Sequence, residues 1–212
     1  MNINSIYETL LAQKADLVAD VQNEMGEHRF QHTLAVAEET LRLSEIFDLT
    51  KNDRERLFVA ALLHDYTKAY GYDKQIAIAK RYGIVLSQDD LNSPPVLHSR
   101  TAAALVKYRF PNEVDPAISE AIRCHTVGKK DMTLFDSLLF LADYIEATRT
   151  HPICQETRKN FYEKLSSGHH KETVLNDTLC LVLQNTIDHI TKQGNQVHSD
   201  SLEMLENLSK KG

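Results

Sequence analysis

Apolar residues recur at helical spacing along most of the chain. They return every three or four positions over 5–24 and again over 30–47, which predicts two amphipathic helices. Asn52 or Asp53 is a suitable cap for a third helix that runs through an apolar stretch to His64. No segment of convincing length shows the alternation of a half-buried strand. The pattern therefore favours long helices over sheet.

The clearest interruption is SQDDLNSPPVLHS, at 87–99, because a double proline does not fit inside a helix. Further helices are predicted at about 98–108, 116–125, 134–146, 154–166 and 172–192. The tail SKKG is expected to fray. We interpret 1–212 as one all-α domain, a helical bundle with a motif-rich core at 29–149. The C-terminal helices, about 154–192, are expected to pack on that core.

Composition narrows the class of protein. Of the 212 residues, 42% are hydrophobic and 25% charged, which is ordinary for a globular protein. Only 7 Gly and 5 Pro are present, and so few helix breakers again favour helices. The formal net charge of −6 provides no general basic field for nucleic acid. Any anionic substrate must therefore be attracted by a local cluster of charge.

The cysteines and the N-terminal segment bear on the compartment. The three cysteines are odd in number and lack CxxC spacing, which suits a reducing compartment better than a disulfide framework. The first residues lack the basic and apolar regions of a signal peptide, and no apolar run approaches the roughly 20 residues of a membrane span. The sequence therefore predicts a cytoplasmic protein without membrane contact. A homodimer is possible, but no motif specifies one.

Histidine and aspartate residues stand beside apolar helical segments. In VAALLHDYTK, for example, an apolar run leads directly into an imidazole and a carboxylate. The residues of this kind are His32, His64, Asp65, His98, His125 and Asp143. Buried polar groups without partners cost several kcal/mol, so a shared cation is the simplest way to satisfy all of them. Mixed imidazole and carboxylate ligands suit Fe, Mn, Co, Ni or Zn.

The order of these residues resembles that of a known family. The segments RFQHTLAVA, AALLHDYTK, VLHS, HTVG and LADYIEATR are similar to those of the HD-domain metal-dependent phosphohydrolases. More closely, they resemble the bacterial YqeK family of symmetrical diadenosine tetraphosphate hydrolases. The resemblance runs from about Arg29 to Arg149, and the ADYIE…R and HTxG segments make it specific.

The resemblance implies roles for individual residues. A divalent transition metal, with iron expected first and Mn, Co, Ni or Zn as alternatives, would be held by His32, His64, Asp65 and Asp143. One or two ions are compatible with the motifs, and Asp65 would bridge a pair. His98 and His125 would complete a second ion site or contact phosphate. Arg29, Lys68, Thr126, Asp143 and Arg149 would bind the substrate, and Asp65 and Lys68 would be the catalytic residues.

The spacing of the cations is consistent with these roles. Arg29 precedes His32 by three residues and Lys68 follows Asp65 by three, so each is expected on the helix face of a ligand. Arginine binds phosphate as a bidentate clamp and lysine as a point charge. The implied reaction is metal-assisted hydrolysis of a dinucleoside tetraphosphate to two ADP, without a covalent intermediate. Base specificity follows from no motif.

Other functions stay open at this point. Another HD-family enzyme, such as a (p)ppGpp hydrolase or a nucleotidase, is the nearest alternative. A non-catalytic nucleotide-sensing module would be expected to lack a ligand, whereas a purely structural helical protein leaves the six ligand-type residues unexplained. The GYP motif of cyclic di-GMP phosphodiesterases is missing, since no Pro follows the Gly-Tyr of AYGYDK.

Several residues near the motifs have simpler interpretations. Cys124 next to His125 suggests a nucleophile–base pair, but adjacent helical residues point about 100° apart, so Cys124 is expected in the core. Glu146 is expected to support a ligand or form a salt bridge rather than bind metal. Lys129 is expected in a solvated loop. The histidines that match no motif are His151, His169, His170, His189 and His198.

Overall fold

The computed structural model describes residues 2–210, and this part of the chain contains helices and no strand. The helices are α1 (Ile3–Gln13), α2 (Ala15–Glu24), α3 (Glu27–Ile46), α4 (Lys51–Leu63), α5 (Tyr72–Arg81), α6 (Gln88–Asn92), α7 (Leu97–Arg109), α8 (Pro116–Cys124), α9 (Leu134–Ile145), α10 (Pro152–Ser166), α11 (Lys171–Lys192) and α12 (Ser199–Ser209). The all-α prediction is confirmed. No helix within residues 2–210 combines the length and the apolar character required to cross a membrane.

The core lies where α3, α4, α7, α8 and α9 pack against one another. Every residue from Leu57 to Leu63 of α4 is buried, and α4 contacts α3, α8 and α9. A helix that is apolar on all sides must be covered on all sides, which explains its central place. The C-terminal end of α4 therefore points its next residues, His64 and Asp65, into the middle of the molecule.

Several predicted elements differ from the observed ones. The opening helix is divided at Lys14, although no Gly or Pro marks the break. Thr50, rather than Asn52 or Asp53, caps α4, through its side-chain oxygen and the Asp53 amide. Helix α5, the short α6 inside the predicted break and the C-terminal α12 were not predicted. The double proline forms a single 3₁₀ turn, Pro94–Val96, that leads directly into α7.

The segment after α4 is a turn rather than a helix end. The helix stops at Leu63, His64 is its C-cap, and the Lys68 amide donates to the Asp65 carbonyl at 2.9 Å. The expectation that Asp65 and Lys68 share a helix face is therefore wrong in its geometry. The tighter turn nevertheless keeps Lys68 Nζ 3.9 Å from Asp65 Oδ1. Arg29, by contrast, does lie on α3 with His32.

The last helix supports the turn that follows α8. Ser201 Oγ of α12 donates to the Val127 carbonyl at 2.9 Å. Gly128 has a φ of +75°, and a Cβ added there would lie 2.1 Å from Sδ of the buried Met204. Only glycine combines that backbone conformation with so close a neighbour. The turn after α8 is thus fixed by a helix far along the chain.

Candidate metal centre

Six side chains predicted as metal ligands meet among the central helices. They are His32 in α3, His64 and Asp65 directly after α4, His98 in the first turn of α7, His125 directly after α8, and Asp143 near the end of α9. All are buried except Asp143, whose side chain is 22% exposed. Apart from the adjacent His64 and Asp65, these residues are at least 18 positions apart in the sequence, so the fold brings them together.

One group of donor atoms comes from His32, His64 and Asp143. Their ligand atoms all lie within 4.8 Å of one another. Asp143 Oδ1 is 3.0 Å from His32 Nε2 and 3.8 Å from His64 Nε2. An imidazole pair with one carboxylate is a common donor set for a divalent transition metal.

A second group adjoins the first and comprises His64, Asp65 and His125, again within 4.8 Å. His98 completes it, with Nε2 3.1 Å from both Asp65 Oδ1 and His125 Nε2. Asp65 stands between the groups, since its Oδ2 is 3.9 Å from His32 Nε2 while its Oδ1 faces His98 and His125. The geometry is that of a carboxylate shared by two neighbouring positions.

Three of the four imidazoles are oriented by the same kind of local hydrogen bond. Nδ1 of His64, His98 and His125 donates to the carbonyl three residues earlier, at 2.7, 2.6 and 2.7 Å. This bond leaves the proton on Nδ1 and turns the Nε2 lone pair toward the centre. Hydrogen bonding of the outer nitrogen is how metal-binding histidines are usually oriented.

The fourth imidazole, His32, is oriented by a carboxylate. Glu146 is fully buried, and its Oε1 accepts from His32 Nδ1 at 3.1 Å. Thr148 donates to Glu146 through its amide at 2.5 Å and its hydroxyl at 2.9 Å. Burial lowers the pKa of His32, but Asp143 and Glu146 outweigh it and raise that pKa to about 9. The position of Glu146 agrees with the prediction of a supporting residue.

Buried imidazole nitrogens without hydrogen-bond partners indicate which kind of ligand the centre requires. Nε2 of His32 and of His64 are buried without a hydrogen-bond partner, since Asp143 Oδ1 lies near His32 Nε2 but outside hydrogen-bond geometry. Burial lowers the pKa of His64 and of His98 to about 4, so both rings are neutral. The Nε2 lone pair of His64 is free, whereas that of His98 faces Lys68 Nζ at 3.1 Å. Buried lone pairs of this kind are costly unless they bind a cation. The residues present therefore fit a divalent metal.

The two aspartates supply the negative charge. Burial alone would raise the pKa of Asp65, but His64, His125, His98 and Lys68 lower it well below its usual value. Burial likewise opposes ionisation of Asp143, and His32 and Arg149 outweigh it. Both carboxylates are therefore ionised at neutral pH and available as ligands.

The predicted phosphate-binding cations surround the same centre. Arg29 Nη1 contacts Asp65 Oδ2 at 2.6 Å, and Arg149 Nη2 contacts Asp143 Oδ1 at 2.6 Å. Lys68 Nζ lies 3.1 Å from His98 Nε2, and Thr126 Oγ1 lies 3.2 Å from His125 Nε2. The three cationic side chains are about one-third exposed, so they face solvent on one side and the carboxylates on the other.

The other candidates belong to the scaffold. Cys124 is buried, with Sγ 3.6 Å from the Ala121 carbonyl, and burial raises its pKa to about 12. Lys129, expected in a solvated loop, instead pairs with Glu120 and Asp136 at 3.0 and 2.8 Å. Tyr66 is buried and donates to Asp20.

Two supporting residues were not predicted. Thr148 holds the carboxylate of Glu146, and Arg158 of α10 donates to the carbonyls of Glu146 and Arg149. The positions of main-chain carbonyls cannot be read from the sequence, so no sequence feature indicated the role of Arg158. Thr148 had only a weak signal, its place inside the ADYIE…R segment.

Comparison with known proteins gives consistent matches. The family model described as HD domain matches residues 29–148. The symmetrical bis(5'-nucleosyl)-tetraphosphatase of Bacillus subtilis is 31% identical over 89% of this chain and 93% of its own length. The enzyme of the same name from Halalkalibacterium halodurans is 30% identical over 86% of this chain and 89% of its own.

A solved structure matches as well. A crystal structure from Clostridium acetobutylicum, described as a predicted HD superfamily hydrolase involved in NAD metabolism, superimposes with a TM-score of 0.81. It is 26% identical in sequence and covers 93% of this chain and 97% of its own. The helical arrangement described above is thus shared with a solved HD hydrolase.

Proposed function

The chain belongs to the HD-domain family, in its YqeK branch, and from this we propose that it is a metal-dependent hydrolase that cleaves diadenosine tetraphosphate symmetrically to two ADP. The membership confirms the resemblance seen in the sequence. The observation that carries the proposal is the convergence of His32, His64, Asp65 and Asp143 on one centre, with unpaired imidazole nitrogens facing inward. Relatives matched over most of their length are named for this reaction.

We propose that His32, His64, Asp65 and Asp143 hold the first ion and that His98 and His125, with Asp65 shared, hold a second. A bound divalent ion would draw phosphate oxygens to the site, offset their charge and make a water molecule reactive at neutral pH. We propose iron as the native metal, and the imidazole–carboxylate donor set also accepts Mn, Co, Ni or Zn.

The chain's own cations have a defined task in this reaction. Tetraphosphate is strongly anionic, while the protein has a net charge of −6, so attraction must be local. We propose that Arg29 and Arg149 bind phosphate oxygens through their exposed sides while their other nitrogens hold Asp65 and Asp143. Thr126 would donate its hydroxyl to a phosphate beside His125. Lys68 would neutralise charge that grows on the oxygens as the bond breaks.

The bonds in the reaction balance without a covalent intermediate. Water attacks the second phosphorus of the chain in line, a new P–O bond forms, and the protons of the water pass to solvent. The bond from that phosphorus to the oxygen bridging to the third phosphorus breaks, and the electron pair leaves with the departing ADP. Asp65 and Lys68 lie beside this reacting centre, and we propose them as the catalytic residues.

We also propose that residues 2–210 form one domain, because α10 contacts both α9 and α11 and α12 contacts the turn after α8. The cysteines, Cys124, Cys154 and Cys180, are all free, which suits a cytoplasmic location. A homodimer stays a prediction.

Product analysis is the direct test. Purified protein is incubated with diadenosine tetraphosphate and Mn²⁺ or Fe²⁺, and the products are separated by chromatography, beside an Asp65→Ala variant and an exposed-residue control, Lys159→Ala. ADP as the sole product, lost only in Asp65→Ala, is the expected result. ATP plus AMP would refute symmetrical cleavage. Binding of nucleotide without turnover would favour a sensor.

A further inference from the structure

We infer that Arg158, on α10, is a positioning residue that holds Arg149 and Glu146 in place for phosphate binding and for metal binding. This inference rests on the proposed function, because it assigns Arg158 to the same site. Arg158 lies outside the matched family segment 29–148 and outside the motif region. Its side chain reaches back from the middle of α10 to the loop that ends α9.

The contacts of Arg158 define a fork. Nη1 donates to the Glu146 carbonyl at 2.5 Å, and Nη2 donates to the Arg149 carbonyl at 3.3 Å. These two carbonyls lie at the two ends of the 146–149 turn, which also contains the bond from the Arg149 amide to the Glu146 carbonyl at 3.1 Å. A planar guanidinium binds two oxygens at fixed separation, which an ammonium does not.

The 146–149 turn that Arg158 binds carries two side chains of the candidate metal centre, those of Glu146 and Arg149. The Glu146 side chain orients His32 through Nδ1, and Arg149 binds both the side chain and the carbonyl of Asp143, at 2.6 and 2.9 Å. Glu146 and Arg149 are also the two residues whose main-chain carbonyls accept hydrogen bonds from Arg158. Displacement of the turn would therefore move a phosphate-binding arginine and loosen a ligand together.

Arg158 is a charged residue whose hydrogen-bond partners are uncharged main-chain groups. Within the part of the chain that the structure describes, the hydrogen bonds of Arg158 are to main-chain carbonyls and not to a carboxylate. A charge-assisted bond to a carbonyl is stronger than a neutral one. A small displacement of a positioning group can cost up to about a hundredfold in rate, so a rigid turn has functional value.

A double-mutant cycle separates this role from simple support of the fold. The variants are Arg149→Ala, Arg158→Ala and the double variant, with Arg158→Lys as the conservative change. Lys159→Ala is the matched control, because it is the next residue of α10 and its side chain is 70% exposed. Each full-length protein is loaded with Mn²⁺ and assayed for kcat and KM with diadenosine tetraphosphate. The Kd for ADP and the thermal unfolding temperature are measured in parallel.

We expect Arg158→Ala to lower kcat/KM and to weaken ADP binding, each by about tenfold. In the Arg149→Ala background the same change should cost clearly less, because only the part of its effect that passes through Glu146 and His32 is left. Arg158→Lys should retain the charge but recover only part of the loss, and Lys159→Ala should match the wild type.

Three results would overturn the inference. One is an equal loss from Arg158→Ala in both backgrounds, which would mean that Arg158 does not act through Arg149. Another is a wild-type Kd and kcat/KM for Arg158→Ala. The third is an Arg149→Ala variant that binds ADP like the wild type, since Arg158 would then hold no phosphate-binding group in place. If the wild-type protein does not cleave diadenosine tetraphosphate, the proposed function fails, and the ADP-binding cycle decides the role of Arg158 separately.

Discussion

Nε2 of His98 and Nε2 of His125 face each other at 3.1 Å, while Nδ1 of each ring is bonded to a main-chain carbonyl. Because each Nδ1 donates to a carbonyl, each Nε2 turns a lone pair into the buried site, where Lys68 Nζ reaches only that of His98, at 3.1 Å. Such an arrangement is unfavourable until a cation lies near both nitrogens. It identifies a place where positive charge stabilises the fold.

Metal should therefore raise the stability of the protein. Mn²⁺ at about a hundred times its Kd should add about 2.7 kcal/mol to the free energy of unfolding of chelator-treated protein. His125→Ala should reduce this gain, and His189→Ala, at an exposed position, should retain it. Thermal unfolding followed by circular dichroism measures both. An equal gain in the two variants would contradict the assignment of His125.

Glu146 should act on the metal through His32. Glu146→Gln keeps the size of the side chain but removes the negative charge behind His32 Nδ1. Loss of such a supporting carboxylate lowers metal affinity by about 10–100-fold. Competition with a fluorescent chelator measures the affinity, and Glu163→Gln, exposed on α10, is the control. Equal affinities for the two variants would rule out this role.

Cys124 should be dispensable for turnover. Burial raises the pKa of its thiol to about 12, so the thiolate is scarce at neutral pH. Cys124→Ala should change kcat by less than about twofold, while leaving a small cavity that costs on the order of 1 kcal/mol of stability. Steady-state kinetics and urea unfolding measure the two effects. A large loss of kcat at wild-type stability would instead favour a nucleophilic cysteine.

Asp90 should make stability depend on acid pH. Burial would raise the pKa of Asp90, but Arg100, with a contact at 2.9 Å, and the Ser87 amide lower it to about 2. A folded pKa below the unfolded value of about 3.9 adds stability above that value, and this contribution is lost as pH falls toward the folded pKa.

The size of the effect follows from this shift. Asp90→Asn should cost about 1–2 kcal/mol at neutral pH after allowance for screening, and the difference from wild type should shrink as pH falls below about 4. Urea unfolding at several values between pH 3 and pH 7 measures it. A difference that stays constant across this range would mean that the ionisation of Asp90 does not contribute.

The proposed ligand set could be predicted from the sequence because each member follows or flanks an apolar helical segment. His64 and His125 each stand directly after a helix. In the sequence, His64 follows an apolar run and His125 follows a segment with apolar residues at helical spacing. The helical class was equally visible, since the chain has few breakers and a strong helical period.

The supporting contacts were not accessible. The division at Lys14 has no local signal, because both neighbouring segments are good helix formers and tertiary packing decides where the chain bends. The turn from Asp65 to Lys68 was taken for helix because a three-residue spacing fits both structures. Arg158 recognises main-chain oxygens, whose positions depend on the whole fold.

The contact between α12 and the turn after α8 has a consequence for synthesis of the protein. Ser201 is 74 residues beyond Val127, whose carbonyl it binds, and Met204 is later still. A ribosome therefore releases His125, Thr126 and Gly128 well before the helix that holds their turn. The nascent chain contains every proposed metal ligand before it contains the helix that fixes the turn of His125, so the complete centre forms late in translation.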